Sequence, residues 1–262
     1  MNEITLTPRE LPSLGIEAET ITPDAFAGKE LKEIKKLVVF YGNEEAAIRD
    51  FFQVQGVAAE KASDIRIIIE GNVALVKRIG QGMSAGEIKV KGNVGMYLGT
   101  EMRGGRIIIQ GSIGPFAGQR MRGGELVIRG NAGNYLGSSY RGDWRGMRGG
   151  VITVEGNAGC ENGEFMIGGK IHIKGNCGPF VGIHMKKGLI VIDGDAGDRV
   201  GAQMLSGNII VNGKTGSMLP SFKFEGEEAE VSIDGDKFQG PFLKYRGDMA
   251  ERRSKGRVYL RK

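Results

Sequence analysis

The chain has 262 residues, 40% of them apolar, and a formal net charge of +5. That content argues for an ordinary buried core and against disorder, and no apolar run is long enough to cross a bilayer, so no membrane role is expected. Two cysteines, Cys160 and Cys177, are too few for a disulfide framework, and MNEITLTPRE lacks a basic segment leading into an apolar one. The expected localisation is cytoplasmic. The unusual component is glycine, at 45 residues without the three-residue period of collagen.

Residues 1–36 are read as an N-terminal arm and cap. Within them PDAFAGKELKEIKK, residues 23–36, spaces Leu31 and Ile34 as a short helix would, and such a helix is expected to cover an open end of the fold. Residues 37–236 are read as a repeat region. Strand-ending glycines fall at Gly92, Gly111, Gly130, Gly156, Gly175, Gly194 and Gly213, at intervals of 19 except for one of 26, which holds a seven-residue insertion around YRGDWRG. Val38-x-Phe40-x-Gly42, Phe52-x-Val54-x-Gly56, Ile67-x-Ile69-x-Gly71 and Val231-x-Ile233-x-Gly235 are read as degenerate windings of the same kind. Residues 237–262 form a basic C-terminal tail, with eight Lys and Arg against two acids from Lys244 onward. No aromatic-basic interleaving accompanies that charge, so nucleic acid is not an expected partner.

Pairs such as Ile88/Val90, Ile107/Ile109, Leu126/Ile128, Ile152/Val154 and Ile171/Ile173 alternate with polar residues, as half-buried strands do. Fourteen mostly glycine and polar residues separate successive strands, too few for a crossover helix. The prediction is an all-β, parallel β-helix: a closed solenoid of about 19-residue coils in which each strand lies on its own image. Gly-Asn at residues 71, 92, 130, 156 and 175 is expected to supply positive φ at the corners. Met83, Met102, Met121, Met147, Met166, Met185 and Met204 should stack as an interior column.

The repetition places the glycines in the architecture, since a phosphate loop would appear once or twice and open a helix. His172 should face outward, Cys177 shares a small-residue core column with Val94, Ile113, Ala132, Ala158 and Ala196, and neither histidine has metal-ligand spacing with a cysteine. No catalytic, cofactor-binding or metal-binding residue is therefore expected. Two outward features are candidate interfaces. Arg103, Arg122 and Arg148 share the position after the methionine, with Lys186 further on; they either meet solvent, Glu101 or Glu125, or bind an acidic ligand. Tyr97, Phe116, Tyr135 and Phe180 form an aromatic column broken by Glu161, and Trp144 sits in the insertion.

The units GNVGMYLG, GSIGPFAG, GNAGNYLG, GNCGPFVG and GDAGDRVG resemble the repeat of a family whose members include the C-terminal domain of glutamate synthase large subunits and the C subunit of formylmethanofuran dehydrogenases. With ITLTPRE and GKELKEIKKLVVFYGN preceding the repeats, the chain is most similar to the latter. The resemblance implies a right-handed coil and a non-catalytic scaffold in an archaeal, tungsten- or molybdenum-dependent complex that reduces CO2 onto methanofuran as formylmethanofuran, the first step of methanogenesis from CO2. It further implies that the pterin-bound metal, iron–sulfur clusters and a dinuclear metal site lie in other subunits: amidohydrolase-like, molybdopterin-type and iron–sulfur partners. The C subunit of a related formyltransferase/hydrolase complex, or a stand-alone module for an acidic ligand, are the alternatives.

Overall fold

The computed structural model describes residues 1–10 and 14–262; residues 11–13 of the predicted arm lie outside the described residues. In chain order the elements are β1 (Asn2–Pro8), β2 (Ile16–Glu17), α1 (Pro23–Phe26), α2 (Leu31–Ile34), β3 (Val38–Tyr41), β4 (Glu44–Ala47), α3 (Ile48–Phe51), β5 (Phe52–Gly56), a 3-10 turn (Ala62–Asp64), β6 (Ile65–Ile69) and β7 (Val76–Lys77). The repeats follow as β8 (Glu87–Val90), β9 (Arg106–Ile109), β10 (Glu125–Ile128), β11 (Val151–Val154), β12 (Ile167–Ile173), β13 (Lys187–Ile192) and β14 (Asn208–Val211). A long hairpin, β15 (Lys223–Ile233) and β16 (Asp236–Arg246), leads to the last strand, β17 (Arg257–Arg261).

Like residues pair with like across the repeats. Ile88, Ile107, Leu126, Ile152, Ile171, Ile190 and Ile209 are successive partners in parallel register, and all are fully buried. The seven methionines of the predicted column are fully buried as well. Outward positions solve the same stacking problem by alternating charge. Glu3, Arg66, Glu87, Arg106 and Glu125 are consecutive cross-strand partners, with Arg66 2.6 Å from Glu87 and Arg106 2.8 Å from Glu125.

The fold expectation needs correction. The structure does not show a right-handed parallel β-helix closed as a solenoid; it shows one mixed sheet of 13 strands, ordered β15-β16-β17-β14-β13-β12-β11-β10-β9-β8-β6-β1-β5, and a second sheet of four, β4-β3-β2-β7. Both ends of the large sheet are antiparallel, β1 with β5 and β15 through β17. Away from the strands, the repeats meet through single bridges, from Val73–Val94 down to Ala196–Thr215, and through hydrogen bonds between turns, such as Gly118 N–H to Leu98 O at 2.8 Å. The physical reason is that the 19-residue pattern reports register only where a copy exists one unit away. Segments outside the repeat have none, and they pair by hairpin instead.

The degenerate windings divide accordingly. Ile67 and Ile69 join the parallel stack, Val38–Tyr41 pairs antiparallel in the small sheet, Phe52–Gly56 turns back on β1, and Val231–Ile233 lies in the hairpin. The predicted helical cap is two separate single turns, α1 and α2, and the sheet is ended by β5. Val231, Ile233 and Phe242 of the hairpin cover Leu189, Val191, Ile210 and Tyr259 on the outer face, forming a second small core. Within residues 237–262 the basic charge is met by the acidic strand: Lys244 reaches Glu228 at 2.9 Å, Arg246 reaches Glu225 at 3.1 Å and Lys262 reaches Glu227 at 2.9 Å.

The corner asparagines also have a different job from the one expected. None of them has positive φ. All but the Asn72 side-chain carbonyl instead accept the backbone N–H of the next repeat: Asn93 from Ser112 at 2.7 Å, and Asn131 from Asn157, Asn157 from Asn176 and Asn176 from Asp195, each at 2.8 Å. The glycine before Asn157 is needed for close approach, since a Cβ on Gly156 would lie 2.7 Å from the carbonyl oxygen of Gly130. Of the glycines before these asparagines only Gly71 has positive φ, at +84°; in the other units it falls elsewhere, as at Gly118, where φ is +62°.

Replacing Asn157 with Ala leaves the Asn176 amide without its acceptor and should lower stability by about 1–2 kcal/mol, whereas Asn157→Asp should cost less. Chemical denaturation of the two variants measures this. Equal losses would show that the amide ladder contributes nothing beyond side-chain volume.

Candidate interaction surface

The turns between strands force two columns of non-glycine residues into left-handed backbone. One runs Arg78, Tyr97, Phe116, Tyr135, Glu161, Phe180 and Arg199, with φ between 57° and 64°; the other includes Glu101, Arg120, Phe165, His184 and Gln203. Bulky residues are uncommon there, and the stack holds them by hydrogen bonds from each repeat to the next, such as Tyr97 N–H to Pro115 O at 3.0 Å and Phe116 N–H to Asn134 O at 2.9 Å.

The predicted aromatic column is assembled in this way. Tyr97 stacks on Phe116 with ring centroids 5.1 Å apart, and Phe116 on Tyr135 at 4.7 Å. Arg78 caps one end over Tyr97, and the Tyr135 hydroxyl donates to Glu161 at 3.2 Å at the other. Burial, followed by the Glu161 charge, raises the Tyr135 pKa. Phe180 lies beyond Glu161 with Arg199 against its ring.

The insertion folds against this column. Asp143 holds Arg145 at 3.0 Å, the loop is tied down by Gly146 N–H to Phe165 O at 2.8 Å, and the hydrogen bond from Arg145 holds the Asp143 carboxyl below its ordinary pKa. Between loop and column lies a cleft of about 230 Å³ walled by Phe116, Tyr135, Tyr140 and Phe165, with Glu161 and Glu164 inside it. Burial, with the Glu161 charge second, raises the Glu164 pKa. Trp144 stays 58% exposed, with the Lys186 ammonium 4.4 Å from its ring centre and Arg145 at 5.2 Å. Trp144, the column and its interruption by Glu161 were legible in the sequence, whereas Glu164 was missed; its signal was its place three residues after that interruption.

The arginine column is also present. Arg103 N–H donates to Met83 O, Arg122 to Met102 O and Arg148 to Met121 O, so the three lie one above another, and Ile167 separates them from Lys186. The acids offered as partners are engaged elsewhere: Glu101 with Arg120 at 3.3 Å and Glu125 with Arg106 at 2.8 Å. Among the described residues, none of the three arginines forms an ion pair, and the Arg148 Nε is buried without a hydrogen-bond partner.

His172 faces outward against Asp193 at 2.8 Å, and His184 stacks on Phe165 at 4.4 Å. Cys177 sits in its expected column between Ala158 and Ala196, and burial pushes its thiol up to about 12. Such a thiol stays protonated and is a poor metal ligand. Among the described residues, no group of three or more His, Cys, Asp or Glu is placed to hold a metal ion, and no helix is long and apolar enough to cross a membrane.

Because the folded pKa of Glu164 is raised, the folded state binds its proton more tightly than the unfolded chain. That stabilisation is complete below the ordinary carboxylate range and is lost as pH rises through the folded pKa. Glu164→Gln should therefore raise Tm above that of the parent at pH 8, with the gain fading on acidification. A gain that is unchanged down to pH 3 would show that its carboxyl does not titrate in this way.

No family model matches the chain. It is 58% identical over 99 residues to the C subunit of the tungsten-containing formylmethanofuran dehydrogenase 2 of Methanothermobacter marburgensis, covering 38% of this chain and 37% of that protein. It is 41% identical over 98 residues to the C subunit of the molybdenum-containing formylmethanofuran dehydrogenase 1 of Methanosarcina barkeri, covering 37% and 33%. The matched stretch thus spans little more than a third of these curated relatives. A chain in the crystal structure of the formyltransferase/hydrolase complex from Methylorubrum extorquens, solved with methylofuran, matches over 98% of this chain and 99% of its own length, with 29% identity and a TM-score of 0.86. Over about a third of its length this chain is similar in sequence to formylmethanofuran dehydrogenase C subunits, and over nearly its whole length it shares its fold with a chain of the formyltransferase/hydrolase complex.

Proposed function

We propose that the chain is a non-catalytic scaffold subunit of a formylmethanofuran dehydrogenase, the complex that fixes CO2 on methanofuran as formylmethanofuran. The observation that carries the reading is the 58% identity to the C subunit of such an enzyme, a level at which a shared role in a shared assembly follows more readily than a shared fold alone. The relatives are named as tungsten- or molybdenum-containing. The donor set here does not suit such a centre: the Cys177 thiol is protonated, His172 meets Asp193 and His184 stacks on Phe165, and among the described residues no three His, Cys, Asp or Glu converge on one point. In this reading the metal-pterin, the iron–sulfur clusters and the dinuclear site belong to molybdopterin-type, iron–sulfur and amidohydrolase-like partners in the cytoplasm.

What this chain contributes is a rigid face. Arg103, Arg122 and Arg148 repeat one charge without an internal counterion, and Tyr97, Phe116, Tyr135 and Trp144 present stacked or exposed rings. We assign both features to contact with an acidic, partly apolar surface of a partner. The near-complete match to a chain of the formyltransferase/hydrolase complex favours one second reading, the equivalent subunit of that assembly.

Affinity purification of the tagged chain from its native cells should recover large partners together with tungsten or molybdenum, read by elemental mass spectrometry. Recovery of the partners without either metal selects the second reading, and recovery of the chain alone removes both. Arg103→Ala, Arg122→Ala and Arg148→Ala combined should reduce partner recovery at least severalfold while leaving Tm within a few degrees, since Arg103 and Arg122 are exposed and truncating Arg148 removes a buried Nε that has no hydrogen-bond partner.

A further inference from the structure

The cleft under the insertion holds two carboxylates that the chain itself does not neutralise. Glu161 accepts the Tyr135 hydroxyl at 3.2 Å and, among the described residues, meets no cation. Glu164 has neither a hydrogen bond nor a cation near enough to counter the effect of burial and of the Glu161 charge on its carboxyl. The basic side chains around the cleft are directed to other groups. Arg120 and Arg145 lie 3.7 Å and 3.0 Å from Asp143, and the Lys186 ammonium sits over the Trp144 ring. Arg141 reaches the cleft but is exposed and forms no ion pair among the described residues. A half-buried carboxylate without a counterion is unfavourable at neutral pH, and the gain in Tm expected of Glu164→Gln measures that cost.

The walls decide what can neutralise the pair. Phe116, Tyr135, Tyr140 and Phe165 surround the two glutamates, and the faces of such rings attract cations. A bare metal ion would find no third ligand, since among the described residues no three His, Cys, Asp or Glu converge. Rings beside carboxylates suit an organic cation instead, with an apolar stem along the rings and a charged head at the acids. The volume of about 230 Å³ lies below that of sites for drug-sized ligands, roughly 300–1,000 Å³, and fits one side chain better than a cofactor. Large apolar groups exposed beside the mouth, Tyr140 at 55% and Trp144 at 58%, indicate that this side chain is carried by a protein surface.

The cleft is also set in advance. Tyr135 N–H donates to Cys160 O at 2.9 Å, Glu161 to Pro179 O at 3.0 Å and Phe165 to Ile183 O at 3.0 Å, so the next repeat fixes three of its residues. Little ordering is then required on binding.

We propose that the cleft receives a lysine or arginine side chain of a partner protein, its stem against Phe116, Tyr135, Tyr140 and Phe165 and its charge at Glu161 and Glu164. This rests on the reading of the chain as a subunit that meets a partner, and it refines that reading: the partner surface is acidic opposite Arg103, Arg122 and Arg148 and basic at the cleft.

The test uses the purified full chain and an acetylated, amidated Gly-Ser-Lys-Ser-Gly peptide, followed by amide NMR. Saturable shifts should appear at the Tyr135, Glu161, Glu164 and Phe165 amides, with half-saturation at about 1–10 mM, as fits a single side chain. The same peptide with norleucine in place of lysine should produce none. Glu164→Gln should stay folded, with its raised Tm, yet weaken binding by about fivefold or more, and Glu161→Gln should weaken it similarly. Equal shifts with the norleucine peptide, unchanged half-saturation in both variants, or shifts confined to other amides would overturn the proposal. Binding seen only after Arg141→Ala would show that the chain's own guanidinium fills the cleft, and tenfold tighter binding of n-butylammonium than of the peptide would assign it to a free amine; either result overturns it. The assay needs no native partner, so its failure is distinguishable from a failure to recover partners from cells.

Discussion

Every residue in the repeat must tolerate a near copy of itself one strand spacing away, about 4.8 Å, in both directions. Apolar residues meet that condition without difficulty, and the isoleucine and methionine columns are buried throughout. Amides meet it too, because an asparagine both donates through its backbone and accepts through its side chain, giving the chain of 2.8 Å contacts from Asn131 to Asp195. Charges do not, and the column from Glu3 to Glu125 resolves the conflict by changing sign at each step.

Departures from this pattern mark the outward surface. Arg103, Arg122 and Arg148 repeat a charge where the neighbouring column alternates it, and their nearby acids are bound to Arg120 and Arg106. Glu161 replaces a ring in the aromatic column, Ile167 replaces a cation, and the insertion displaces the regular spacing between Gly130 and Gly156. Together these changes create the cleft that holds Glu161 and Glu164 beside the stacked rings. A fold made of one repeated unit acquires locally distinct surfaces where the unit is altered.

The ends of the sheet obey another rule. A parallel stack exposes unpaired backbone groups at both termini, and the two ends deal with this separately. The hairpin β15–β16 closes one with acidic side chains, which also neutralise much of the C-terminal positive charge. β5 closes the other by pairing with β1, and α2 and α3 pack on it.

The repeat itself was legible in the sequence: the glycine spacing, the alternating pairs and the methionine column predicted which residues would lie above which, and Ile107, Leu126 and Ile152 do so. The aromatic column was legible for the same reason, because periodic recurrence encodes contact between copies. A closed parallel solenoid was not the outcome, since β1, β5, β15 and β16 have no copy a repeat away and their antiparallel partners are chosen by hairpins and by packing. The role of Asn157 and its neighbours was misread because a side-chain-to-backbone bond between repeats leaves the same Gly-Asn signature as a left-handed turn. Sequence alone determined the internal register; tertiary structure decided the ends, the pairing of each charge and the closure of the insertion over Glu164, because these depend on contacts between segments that share no period.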